Sequence, residues 1–107
     1  MPRKTITGNI FADIGLPNAD EHAFKADVVI KLGLLIEGKK LSQTQAAKVT
    51  GISQPDLSRL LRGQFDGFSM DRLLQAILLL GSDIEIRVKK PAKNRPGKAR
   101  VMSEAFA

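Results

Sequence analysis

"GISQPDLSRLLRG", residues 51–63, decides how the rest of the chain is read. Ser53 with Asp56 three residues on has the offset of a reciprocal helix N-cap, and Pro55 is tolerated because first-turn amides have no intrahelical acceptor. Ile52, Leu57 and Leu60 fall on one side, which predicts a helix held inward by aliphatic groups, running to Arg62 and stopping at Gly63. Gln54, Pro55, Asp56, Ser58 and Arg59 crowd the first two turns of the other side. A buried helix has no use for so many hydrogen-bonding groups there, so this face is expected to serve something outside the protein.

The same punctuation recurs on both sides of this stretch. Ser42 with Gln45 is a second capping box, preceded by Leu41, which is placed to staple onto Ala46; the short helix "QTQAAKVT" follows and closes at Gly51. Further upstream Asn18 and Glu21 form another cap pair. They open a helix to about Glu37, with Phe24, Val28, Leu32 and Leu35 or Ile36 as its core stripe and Gly38 as its left-handed end. Downstream, the loop "GQFDGF" leads to Ser69 as N-cap of a helix whose apolar face is Met70, Leu73, Leu74, Ile77 and Leu78, ended by Gly81. Residues 1–17 read as an arm with the apolar stretch "IFADIGL".

After Gly81 the period changes. In "DIEIRVK" Ile84, Ile86 and Val88 alternate with Asp83, Glu85, Arg87 and Lys89, the two-residue repeat of a half-buried strand. No comparable second strand exists in the sequence, "KTITGNI" being the nearest. Pairing of two copies across a twofold axis is therefore expected, which makes Ile84, Ile86 and Val88 the dimerisation residues. The expected organisation is an arm (1–17), a domain with its dimerisation strand (18–90) and a basic flexible tail (91–107).

The totals bound the function. A chain of 107 residues suits one domain that buries roughly 60–70% of its unfolded surface. It has no cysteine, hence neither disulfides nor thiolate metal sites, and no apolar window of membrane-spanning length, which together suggest a cytoplasmic protein without membrane contact. The net charge of +6 is carried wholly beyond residue 86, by Arg87, Lys89, Lys90, Lys93, Arg95, Lys98 and Arg100 against Glu104. The preceding 86 residues are neutral, with acids Asp13, Asp20, Glu21 and Asp27 in the N-terminal third and freer basic groups around 39–62. A single histidine (His22, read as a surface residue) and the lack of a paired-carboxylate or glycine-rich phosphate motif argue against an enzyme and against any cofactor or metal. The five phenylalanines read as packing groups, and without tyrosine or tryptophan there is no stacking platform for single strands.

Two short capped helices joined at Gly51, with small Ala47 four residues before it, are what a helix-turn-helix requires. In that geometry the start of the second helix meets base edges in the major groove of double-stranded DNA. "LSQTQAAKVTGISQPDLSRLLRG" followed by "FSMDRLLQAILLLGSDIEI" resembles the phage-repressor and Cro type of helix-turn-helix, the XRE family, over residues 11–88. More narrowly it is similar to small XRE regulators that act as antitoxins in operons of the HigA kind. Ala46 and Thr50 depart from the pattern, standing where leucine and an apolar residue are usual.

The resemblance implies an all-α, lambda-repressor-like bundle of four to five helices and a homodimeric DNA-binding repressor. It implies DNA-facing positions at Ser42, Gln43 and Thr44, with Gln43 on phosphate, and at Ser53, Gln54, Pro55, Asp56, Ser58, Arg59 and Arg62. Gln54 is suited to adenine, Arg59 to guanine or phosphate, and Arg62 to backbone; Pro55 offers at most an apolar contact to a thymine methyl. Asp56 is either an acceptor for cytosine or simply a cap partner. The alternative implied by the resemblance is an antitoxin that binds a small basic toxin protein, with the acidic N-terminal third as the docking surface; the arm's apolar groups would serve either that partner or the dimer core.

Overall fold

The computed structural model describes residues 18–102. The arm lies outside the described residues, as does the Asn18 side chain on which the expected cap with Glu21 depends. Among the described residues four helices follow in order: α1 (Asn18–Gly38), α2 (Gln43–Thr50), α3 (Gln54–Leu61) and α4 (Met70–Leu79). α1 packs on α4 and α3, and α2 packs on α3 and α4, so the two short helices are clasped between the two longer ones. Val28, Leu32, Leu57, Leu60 and Leu73 are the largest fully buried side chains, and they come from α1, α3 and α4. Where α1 crosses α3, a Leu61 methyl lies 3.5 Å from where a Cβ on Gly33 would stand, an ordinary van der Waals contact.

Helix starts follow the local chemistry closely. Ser42 Oγ accepts from the Gln45 amide (3.1 Å) while Gln45 Oε1 accepts from the Ser42 amide (2.9 Å), completing the box at α2. Ser69 Oγ accepts from the Arg72 amide at the start of α4 (3.2 Å). At α3 only half of the expected box forms: Ser53 Oγ accepts from the Asp56 amide (3.3 Å), but the Asp56 carboxylate turns to Arg59 instead.

The end of α1 departs from the expectation. Gly38 stays within the helix, and the left-handed residue is Lys40, at φ +56°. The Leu41 amide donates to the Ile36 carbonyl (3.2 Å) and the Lys40 amide to the Glu37 carbonyl (2.9 Å), a Schellman ending two residues later than the glycine would place it. This register puts apolar Leu41, partly buried on the core, beside buried Ile36. Ending at Gly38 would instead have paired Lys39 with the exposed Leu34. Hydrophobic contact across the cap thus outweighs the left-handed cost of a lysine, roughly 1–2 kcal/mol.

Thr50, the polar departure from the family pattern, is buried without penalty. Its Oγ1 donates to the Ala46 carbonyl (2.8 Å) and accepts from the Ile52 amide (3.3 Å), tying the last turn of α2 to the chain beyond Gly51. The loop after α3 is pinned rather than loose: Phe65 and Phe68 are buried, His22 lies against the Phe65 ring (centroids 4.9 Å apart), and Arg72 sits over Phe68 (5.1 Å). His22 is exposed, as a surface residue.

The outer side of α4 and the segment after it also differ from the expectation. Leu78 is exposed, with Leu79 beside it; Ala76 and Leu80 take the inward places, because the stripe from Met70 through Leu73 and Ile77 to Leu80 fixes the buried side of α4 and leaves 78 and 79 behind it. Among the described residues no strand forms. The segment after Gly81 has no regular structure, with Ile84 partly buried against the core but Ile86 63% and Val88 91% exposed, since a lone strand finds no partner for its ladder within one chain.

Candidate nucleic-acid interface

The turn between α2 and α3 is built around Gly51, whose φ of +74° is left-handed and whose amide donates to the Ala47 carbonyl (2.9 Å). From there the chain turns through buried Ile52 into α3. Leu57 and Leu60 are completely buried beneath that helix, and α2 is held by Ala46, likewise completely buried. The opposite faces of both helices are left to solvent.

On α2 Gln43 and Thr44 are exposed at the first turn, and Ser42 is exposed with its hydroxyl committed to capping. On α3 Gln54, Pro55, Arg59 and Arg62 are exposed, Asp56 and Ser58 are half-buried, and the Ser53 hydroxyl caps. The starts of α2 and α3, each with first-turn amides that lack intrahelical acceptors, therefore belong to one packed pair. Oriented amides of this kind, with the positive end of the helix dipole, favour anions.

One feature of the site was not legible beforehand. Arg59 Nη2 lies 3.3 Å from Asp56 Oδ1, across one turn of α3, with the side chains 49% and 41% exposed. An exposed pair of this spacing is worth about 0–1 kcal/mol, so it aligns the guanidinium along the helix without binding it strongly. A phosphate or a guanine edge can displace the carboxylate at small cost. Of the freer basic groups expected around 39–62, Lys39, Lys40 and Lys48 lie at or beside α2, exposed and without a salt bridge among the described residues. Also among the described residues, no group of three histidine or acidic side chains is placed to hold a metal ion, and no helix is long and apolar enough to cross a membrane.

Comparison with known proteins agrees with this geometry. A family model described as a helix-turn-helix domain matches residues 10–89. Among solved structures the chain is similar to an XRE family transcriptional regulator, with 35% sequence identity and a TM-score of 0.71 over 83% of this chain and 99% of that one. No curated protein matches it. With the match spanning the capped pair, its turn and both flanking helices, the chain belongs to the XRE family of helix-turn-helix proteins.

Proposed function

We propose that this protein is a sequence-specific transcriptional repressor that binds double-stranded DNA as a homodimer on an inverted repeat, in the cytoplasm and without a cofactor. The observation that carries the reading is the two-sided character of α3: Leu57 and Leu60 are wholly buried while Gln54, Pro55 and Arg59, at its start, are exposed. Such a helix can enter a major groove without unfolding anything beneath it. Gln54 then pairs with adenine through N6 and N7, and Arg59 leaves Asp56 for guanine or phosphate. Gln43 and Thr44 meet phosphate at the start of α2. Arg62, at the end of α3, holds backbone.

The homodimer is supported by apolar surface that one chain leaves uncovered. Ile86 and Val88 are exposed on the segment after Gly81, and Leu41, Val49, Leu79 and Leu80 line a groove beside the end of α4. A second copy covers such surface through the same patch on both subunits. The two recognition helices would then lie about 34 Å apart, one turn of the duplex.

Toxin neutralisation is a second reading, favoured by one observation. Ile30 and Leu34, one turn apart on α1, are 55% and 45% exposed and lie close in sequence to Asp27 and Glu37. An apolar strip with two acids and one lysine, Lys31, beside it suits a small basic protein.

The test is a titration of a promoter duplex, read base by base. Gln54→Ala is expected to relax preference at one base position, by about 1–3 kcal/mol of discrimination, whereas Arg62→Ala weakens all sequences alike. Unaltered operator binding in both variants would overturn the site.

A further inference from the structure

The net positive charge of this molecule lies on one stretch of chain, and the fold holds that stretch at both ends. Ile84 and Val101 are each partly buried and packed against the core. Residues 85–100 between them are exposed throughout and contain every one of the basic residues that follow position 86, with Glu85 as the sole acid. Their run reverses at residues 93–95, where Asn94 adopts φ +63°. Pro91 and Pro96 flank the reversal and lack the N–H that a strand partner would use. None of the cations forms a salt bridge among the described residues.

We propose that residues 85–100 are a second DNA contact: a doubly anchored basic loop that grips backbone phosphates outside the bases read by α3. The inference rests on the DNA-binding reading above and adds a site to it. Cations crowded on one loop repel each other until a polyanion neutralises them, and duplex DNA offers one phosphate charge per about 1.7 Å of axis. The composition selects among polyanions. There is no aromatic residue in 85–100 on which single-stranded bases would stack; its two large apolar groups, Ile86 and Val88, are those proposed above for the dimer, and the remainder, "KKPAKNRPGKAR", has none to enter a lipid surface. Anchoring at both Ile84 and Val101 keeps the loop near the folded domain, so its contacts add to those of α3 at a high effective concentration.

The experiment measures binding of the full chain to an operator duplex and to a random duplex of equal length over a series of NaCl concentrations. In the variant K89Q/K90Q/K93Q/K98Q/R100Q affinity is expected to fall tenfold or more on both duplexes alike, leaving their ratio unchanged. The slope of log K against log salt becomes shallower by about 0.9 for each phosphate that the loop no longer neutralises. Val101→Asp keeps every basic residue but frees one anchor, and is expected to weaken both duplexes by about threefold. A slope identical to that of the wild type in the five-fold variant overturns the loop. Full affinity in Val101→Asp overturns its anchoring. If Gln54→Ala relaxes specificity while the five-fold variant changes nothing, the loop alone is wrong; if the wild type binds neither duplex, the DNA-binding reading falls first.

Discussion

The α2–α3 pair and the segment after Gly81 are held in place by different means. The pair is regular, with Ser42 and Ser53 capping its starts, Gly51 turning it, and Ala46, Leu57 and Leu60 wholly buried beneath it. The later segment has no ladder among the described residues, and its described hydrophobic packing on the core is at Ile84 and Val101. Charge is divided the other way: the neutral part of the chain builds the pair, and the excess charge lies on the segment. Shape is therefore fixed where burial is deep, and attraction to a polyanion is placed where burial is shallow and cations remain free to follow a backbone.

This contrast can be broken most forcefully at Leu57. Leu57→Ala opens a cavity under α3 and is expected to cost about 2–5 kcal/mol, a large share of a small domain's stability, read as a lower urea midpoint at unchanged m. Thr50→Val keeps the volume but strands the Ile52 amide; the expected loss is about 1 kcal/mol by the same measurement. Val88→Asp sharpens the comparison from the other side. At a site 91% exposed it should change monomer stability by no more than about 0.5 kcal/mol, while the proposed dimer, followed by sedimentation, dissociates at higher protein concentration. Equal losses for Leu57→Ala and Val88→Asp would erase the distinction between the two regions.

The helix boundaries were largely readable because a cap is a contact within a few residues. Ser42 and Gln45 satisfy each other, Ser69 meets the Arg72 amide, and Gly51 makes its turn whatever the rest of the chain does. The exposed face of α3 was readable for a similar reason, since its polar residues and its leucines share one helical period. The strand does not form within one chain, because alternation records which side chains could share a face and supplies no partner for the backbone. Asp56 was assigned to the cap by spacing alone, whereas its carboxylate finds a cation one turn ahead.

By itself, then, the sequence determined the four helices, the turn at Gly51 and the aliphatic underside of α3, all of which depend on neighbours a few residues apart. Only the tertiary structure decided that Lys40 rather than Gly38 makes the left-handed close of α1, that Leu78 and Leu79 face outward, that Thr50 can be buried, and that Val101 returns to the core. Each of those outcomes depends on where another element of the chain comes to rest. Burial, unlike a cap, is a property of two surfaces, and local spacing describes only one of them.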